Sequence, residues 1–183
     1  MTELKLDEAL GLFSGSVAEF LATIDGVSDA QYLAAPLPGR WCLAENAEHT
    51  TVVIRGVERL LTTRLLQQPV AADDPARRVR DADLAQYLAD RTVAIGAPEM
   101  VRPKGRWTTR QEMAAVLRDS TDGILSWAGA VHADLRGFGA PHALLGPLDG
   151  VQWILFLALH TDRHARQAKE IRGMVEGRAN ANG

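Results

Sequence analysis

The sequence predicts an all-α protein built as a four-helix bundle with one or two short additional helices. Along four long segments, apolar residues recur at spacings of three and four, which is the period of an amphipathic helix. The connections between these segments contain Gly and Pro and differ in length. No segment shows a convincing strand pattern, and no heptad repeat is long enough for a coiled coil. Helices of this kind bury their apolar faces against each other in a bundle.

The first half of the chain supplies two of the long helices. The first is predicted over residues 6–24, where the apolar side chains form one stripe. After the loop GVSDAQYLAAPLPGRW, the second helix is expected to begin at about Cys42 and to run to about Gln67. Glu45 lies three residues after Cys42, in the position of a capping-box carboxylate, although cysteine is a weaker N-cap than serine.

The second half supplies the other two long helices, after a polar connection. The segment QPVAADDPARRVRDAD is interpreted as a solvated connector, and a short helix is expected over residues 83–93. Thr108 or Thr109 is predicted to cap a long helix that ends near His132. The loop HADLRGFGAPHALLGPLDG then leads into the last helix, which is predicted over residues 148–176.

Length and composition favour a single domain. The chain has 183 residues, of which 46% are hydrophobic, so residues 1–176 are assigned to one domain and 177–183 to a disordered tail. The formal net charge of -3 provides no basic surface, which argues against a nucleic-acid partner. The N-terminus lacks the pattern of a signal peptide, and no apolar run reaches the ~18 residues that cross a bilayer. A cytoplasmic protein without membrane association is expected.

Two histidines lie on the buried face of the last predicted helix. The segment LALHTDRHARQAKEI places His160 and His164 one turn apart, on the same stripe as Trp153 and Gln167. Charged residues occupy the opposite face of this helix. Imidazoles at positions i and i+4 can bind one metal ion.

A third histidine, His49, lies on the inward face of the second long helix, so three imidazoles converge if the two faces meet. Burying an imidazole without a hydrogen-bond partner costs on the order of a few kcal/mol. A divalent cation removes this cost, because each neutral nitrogen becomes a ligand. Three protein ligands also leave positions open for water or substrate, which is typical of a catalytic site.

Two stretches, PLPGRWCLAENAEHTTVVIRG and GPLDGVQWILFLALHTDRHARQAKEI, resemble the DinB-like (YfiT-type) superfamily. They are most similar to the subgroup that contains metal-dependent hydrolases and thiol S-transferases. The family pattern is Pro-Gly-Trp-Ser before a helix with one histidine, followed by HxxRHxxQ in the last helix. The matching residues here are Pro38, Gly39, Trp41, His49, His160, Arg163, His164 and Gln167. Cys42 stands where the family has serine, and Arg40 separates Gly39 from Trp41.

The resemblance implies an up-down-down-up bundle, usually a homodimer, with a divalent metal on His49, His160 and His164. The metal of such relatives is often zinc or nickel, and some relatives use a low-molecular-weight thiol. The sequence does not identify the metal of this chain, because three imidazoles suit zinc, nickel, copper and iron alike.

Further residues near the histidines are candidates for catalysis or substrate binding. Glu45 is either a base or hydrogen-bond partner at the metal site, or a capping-box carboxylate. Gln167 either orients a ligand or binds substrate, or it is an amide at a helix interface. His142 either contacts substrate from the loop before the last helix or packs within that loop. Trp153 is expected to form the floor of a pocket. Cys42 is either a redox or ligand residue or a small buried side chain.

The leading hypothesis is a divalent-metal-dependent hydrolase or thiol S-transferase that acts on a small molecule. One alternative is a non-catalytic small-molecule-binding or stress-response bundle with a metal-bearing pocket. Another is a metal-free structural bundle, in which the histidines form hydrogen bonds with Glu45 and Gln167.

Overall fold

Helices dominate the fold of the described chain. The computed structural model describes residues 3–70, 79–90, 96–107 and 109–181. These ranges contain six α-helices: α1 (Leu6–Asp25), α2 (Asp29–Leu33), α3 (Leu43–Thr63), α4 (Asp81–Ala89), α5 (Arg110–Ala130) and α6 (Gly150–Ala181). They also contain two strands and three 3-10 turns: β1 (Gly139–His142), β2 (Gly146–Asp149), Leu65–Gln67, Glu99–Val101 and Leu135–Gly137. None of these helices combines the length and hydrophobicity needed to cross a bilayer.

The four long helices α1, α3, α5 and α6 form the predicted bundle. α6 packs against both α1 and α3, and α5 packs against the same two helices from the other side. α1 and α6 run parallel, because Glu19 pairs with Lys169 and Gly26, directly after α1, lies beside Arg172. The first and last helices of the bundle therefore point in the same direction.

The two middle helices point the opposite way. Leu65, directly after α3, lies against Gly150 at the start of α6, so α3 and α6 are antiparallel. Thr51 in the first half of α3 donates a hydrogen bond to the sulfur of Met113 near the start of α5, so α3 and α5 are parallel. These contacts confirm the up-down-down-up order, in which α3 and α6 are antiparallel neighbours.

Capping explains where two of the long helices begin. The hydroxyl of Thr109 accepts the backbone N–H of Glu112 at 3.1 Å, and the Glu112 carboxylate accepts the N–H of Thr109 at 3.2 Å. This is the capping box expected before α5, on the second of the two predicted threonines. At α3, the carboxylate of Glu45 accepts the backbone N–H of Cys42 at 2.9 Å.

Several predicted boundaries were wrong. The loop after α1 contains the short helix α2, which Ser28 caps by accepting the N–H of Gln31. α4 begins two residues before the predicted start, and residues 91–93 of its predicted range lie outside the described ranges. α6 continues to Ala181, so the predicted end at residue 176 is too early. An ion pair between Arg172 and Glu176, one turn apart, stabilises the last turns of α6. The residues of low helix propensity in these turns are isolated glycines, which weaken a helix without ending it.

The loop before α6 folds into a hairpin that the sequence analysis did not predict. β1 and β2 pair antiparallel, with Gly139 opposite Asp149. Each strand has only four residues and includes Gly or Pro, which is too short and irregular for an alternating pattern. Gly146 has a φ of 78°, a left-handed conformation that glycine adopts without steric cost at the hairpin turn.

A buried ion-pair cluster fastens this hairpin to the bundle. The guanidinium of Arg136 donates to Asp81 at 2.7 and 3.0 Å, to Asp149 at 2.9 Å and to the carbonyl of Leu4 at 2.7 Å. Burial alone would raise the pKa of Asp81, but hydrogen bonds from Arg136, from the Leu4 N–H and from Gln152 together lower it. Burial raises the pKa of Asp149 despite its bond to Arg136. The cluster joins the N-terminal segment, α4, β2 and the start of α6.

We expect the substitution Arg136→Ala to lower the free energy of unfolding by about 3–5 kcal/mol, because it leaves two mostly buried carboxylates without their cation. Urea unfolding followed by circular dichroism measures this loss. The matched control is Arg166→Ala, which removes an exposed pair with Asp162 and should leave the stability nearly unchanged. Equal effects of the two substitutions would contradict the assignment.

Candidate metal centre

The three predicted histidines come together where α3 packs against α6. One ring nitrogen from each of His49, His160 and His164 lies within 4.8 Å of the others. The centre of the His49 ring lies 5.3 Å from that of His160 and 4.8 Å from that of His164. The ring centres of His160 and His164 are 4.5 Å apart. A metal bound at about 2.0–2.1 Å from three imidazole nitrogens in tetrahedral geometry places ring centres roughly 5 Å apart. The spacing therefore fits one divalent ion.

The orientation of His49 is set by a backbone carbonyl. Its Nδ1 lies 2.8 Å from the carbonyl oxygen of Val101, so Nδ1 carries the proton and donates it. The lone pair on Nε2 is then available to a cation, which is the arrangement usual for a metal-binding histidine. Burial lowers the pKa of His49, which keeps the ring neutral at neutral pH. The ring of Trp41 packs against it with centres 5.1 Å apart.

Glu48 holds in place the loop that supplies this carbonyl. Its buried carboxylate accepts backbone N–H groups of Lys104, Gly105 and Arg106 at 2.7, 2.8 and 3.3 Å, and it pairs with the Arg106 guanidinium. Burial alone would raise the pKa of Glu48, but these donors together lower it. Gly105 has a φ of 69°, which lets the backbone turn its amides toward the carboxylate. The residue beside a candidate ligand thus anchors the loop that orients that ligand.

His164 has a polar neighbour on α3. The amide nitrogen of Asn46 lies 3.3 Å from Nδ1 of His164, and Oδ1 of the same amide is buried without a partner among the described residues. The two orientations of an amide have almost the same shape. With the amide turned over, Oδ1 accepts the Nδ1–H of His164, and Nε2 of His164 is left to bind a cation. This second orientation gives Oδ1 a hydrogen-bond donor, and it is the one that coordination of a cation through Nε2 of His164 would need.

His160 is the histidine with the strongest electrostatic signature. Burial, followed by the neighbouring His164 and His49, lowers its pKa well below the ordinary histidine range. Its Nδ1 is buried and has no hydrogen-bond partner within the described ranges. A neutral ring nitrogen in that state loses its hydration without compensation. A cation coordinated by this ring would supply the missing interaction, so the donor set fits a divalent metal.

A cavity of about 780 Å³ opens beside the histidines. It is bounded by α3, α4, α6, the 3-10 turn at Glu99–Val101 and the hairpin. His142, Trp153 and Gln167 all line it, and their roles toward a substrate stay predictions. Its volume is in the range of ordinary small-molecule sites.

Two of these residues are fixed by hydrogen bonds of their own. Nδ1 of His142 accepts the N–H groups of Leu144 and Leu145, both at 3.2 Å, so its proton resides on Nε2. Burial lowers the pKa of His142, so the ring is a neutral donor. The indole N–H of Trp153 donates to the carbonyl of Ala140 at 3.2 Å, and its ring forms part of the wall.

Glu45 and Cys42 lie at the N-terminus of α3. The Glu45 carboxylate is occupied by the cap described above, and it is not among the described residues that line the cavity. The capping alternative is thus observed, and a catalytic role for Glu45 remains a prediction that this geometry does not favour. Burial raises the pKa of the Cys42 thiol, which is the behaviour of a small buried side chain rather than of a reactive thiolate.

Four contributors to the site were not identified from the sequence. Asn46 lies one turn before His49 on the same face, so an inward polar residue at i-3 was a usable signal. Trp41 belongs to the quoted family stretch, but no role beside His49 was predicted for it. The remaining two are Glu48 and the carbonyl of Val101. The contacts of Glu48 with Lys104 and of His49 with Val101 join residues more than fifty positions apart, and helical periodicity does not predict such contacts.

We expect Glu48→Gln to weaken divalent-metal binding by roughly 10- to 100-fold, because the loop that orients His49 loses part of its anchor. A chelator-competition titration measures the affinity. Glu58→Gln, a substitution on the same helix outside the cavity wall, is the matched control and should bind metal like the parent. Unchanged affinity in Glu48→Gln would show that the loop does not orient His49.

We expect the metal-free protein to lose stability as the pH falls below about 6.5, the ordinary histidine value. Burial lowers the pKa of His49, His142 and His160 in the folded protein. The unfolded chain therefore binds more protons in this range, and each additional proton costs up to about 1.4 kcal/mol per pH unit. Denaturant unfolding at several pH values measures this slope. His160→Gln should flatten the slope and the exposed control His132→Gln should not; a slope unaltered in His160→Gln would contradict the argument.

Comparisons with known proteins agree with the four-helix fold. The sequence profile of the DinB superfamily matches residues 12–168. An uncharacterized protein of Bacillus subtilis (strain 168), YuaE, is 22% identical over 167 residues, which cover 91% of this chain and 99% of YuaE. The crystal structure of TT2238, described as a four-helix bundle protein, superposes with a TM-score of 0.59 at 20% identity, over 91% of this chain and 99% of that one. Since the profile spans most of the sequence, the chain belongs to the DinB superfamily.

Proposed function

We propose that this protein is a divalent-metal-dependent enzyme that acts on a small molecule in the cavity beside His49, His160 and His164. The observation that carries the proposal is the convergence of three imidazoles at the wall of a cavity, two of them from buried residues and that of His160 from a partly buried one. A structural zinc site is normally closed by a fourth protein ligand. Among the described residues, no carboxylate or thiol joins the three histidines, so the site is open on the cavity side.

The histidines are prepared to act as ligands at neutral pH. Burial keeps His49 and His160 unprotonated, and the carbonyl of Val101 selects the tautomer of His49 in which Nε2 is the ligand atom. Asn46 is placed to do the same for His164. Three neutral nitrogen donors suit several divalent metals, and among them we propose zinc or nickel because the family resemblance implies these two.

His49, His160 and His164 would hold the divalent ion, whose Lewis acidity would make a water or a thiol a better nucleophile at neutral pH. The proposed reaction is hydrolysis, in which water adds across the scissile bond, or transfer of a low-molecular-weight thiol. In the transfer, the sulfur bonds to an electrophilic carbon while the leaving group departs and the thiol proton is released. His142 presents an Nε2–H donor, and Gln167 presents an amide for positioning the substrate.

The first test is the metal content of the full-length protein purified without chelator, measured by plasma mass spectrometry. We expect about one equivalent in the parent and less than a tenth of that in His160→Ala, because two remaining imidazoles bind a metal far more weakly. His142→Ala removes a histidine of the same cavity that is not a proposed ligand, and it should retain the metal. Circular dichroism verifies that each variant is folded.

Two results would reject this proposal. Absence of metal from the parent, even after reconstitution with zinc or nickel, would favour the metal-free bundle. A stoichiometric metal that survives in His160→Ala would place the ligands elsewhere. With the site established, assays with esters and with thiol plus electrophile separate the two reactions, and each should be abolished in His160→Ala.

A further inference from the structure

The wall of the cavity along α3 is apolar. Val52, Val53, Val57 and Leu60 line it in the turns that follow His49. Leu60 lies eleven residues after His49, which corresponds to about 16 Å along a helix axis. The apolar wall therefore extends well beyond the space that a substrate's reacting group would occupy at the histidines.

Among the described residues, the charged side chains that line the cavity are all arginines. In the part of the chain that the structure describes, no Asp or Glu lines the cavity, whereas two arginines, Arg40 and Arg163, do. Arg163 donates to the carbonyls of Leu88 and Asp90 at the end of α4, which holds its guanidinium against the wall. A cationic ligand would have to lose its hydration here without gaining a carboxylate partner, which is unfavourable.

The apolar surface continues to the mouth of the cavity. Tyr87, Met100 and Leu144 line it and remain 40, 77 and 55% exposed. They come from three separate elements, namely α4, the 3-10 turn and the hairpin loop. Large exposed apolar side chains that gather around one opening indicate contact with an apolar partner or ligand.

Gly56 interrupts this wall with open space. A Cβ atom added at Gly56 would meet no atom within 4 Å. It lies seven residues after His49 on the cavity side of α3, about 10 Å along the helix axis. A side chain at this position would project into the cavity rather than into the core, so the glycine keeps the far part of the cavity wide.

We infer that the cavity binds a small molecule with an elongated apolar body and a neutral or anionic head, and that Gly56 sets the length of the body it accepts. This inference names the substrate class of the proposed enzyme and rests on that proposed function. The head would lie at the histidines and the body along α3 past Gly56, toward the apolar mouth.

Simple amphiphiles test the inference on the metal-loaded full-length protein. Dissociation constants of butanoate, hexanoate, octanoate, 1-octanol and octylammonium are measured by calorimetry. We expect affinity to rise about fourfold per added methylene from butanoate to octanoate. We expect that 1-octanol also binds, and that octylammonium binds at least about tenfold more weakly than octanoate. Affinity independent of chain length, or octylammonium as tight as octanoate, would overturn the inference.

Gly56→Leu tests the role of the glycine. The substitution should lower the affinity for octanoate by about tenfold and change the affinity for butanoate little, because only the longer apolar body reaches this position. Leucine also favours the helix over glycine, so the fold should be retained. Gly15→Leu is the matched control, since Gly15 is an exposed helical glycine with equal free space outside the cavity. An equal loss of affinity for octanoate and butanoate in Gly56→Leu would reject the role assigned to Gly56.

Metal content, measured on every sample, separates this inference from the proposed function. Chain-length dependence in protein that holds no metal would support the apolar site and reject the metal-dependent enzyme. A stoichiometric metal without chain-length dependence would leave the enzyme in place and overturn the substrate class.

Discussion

The need to keep three neighbouring imidazoles neutral inside a helical core governs the structure around them. Each protonated ring in that core would repel the others and would lack hydration, which is why burial and the neighbouring rings lower the pKa of His160 so strongly. Two of the rings have specific polar neighbours: the carbonyl of Val101 accepts from His49, and the amide of Asn46 lies beside Nδ1 of His164.

A second layer supports those acceptors. Glu48 is a buried carboxylate that serves no ligand directly; it holds the loop whose carbonyl orients His49. Arg136 supports another wall of the cavity in a similar way. Its hydrogen bonds to Asp149 and Asp81 hold the hairpin that carries His142 against α4, next to the start of α6. Both are charged groups whose hydrogen bonds replace water, and both join segments that are distant in sequence. Such contacts give the site its rigidity without taking part in it.

The helices and the inward placement of the three histidines were predictable because they depend on short-range periodicity. A stripe at three- and four-residue spacing predicts a helix and its buried face, and His49, His160 and His164 could be placed inward on that basis alone. The hairpin was missed because four-residue strands containing Gly and Pro leave no alternation to detect. The roles of Glu48 and Arg136 were missed because their partners lie in loops, whose paths follow from tertiary packing and not from local pattern.

The proposed ligands all come from α3 and α6, whereas much of the rest of the cavity comes from α4, a 3-10 turn and a hairpin. The two ligand-bearing helices belong to the bundle core, where a change of one methylene already disturbs packing. The other walls are short surface elements, which tolerate insertion and substitution. This separation lets the shape of the cavity diverge between relatives while the chemistry at the histidines is preserved. If the proposed metal centre is correct, substitutions in these other walls would change the molecule that the cavity accepts and leave the three histidines in place.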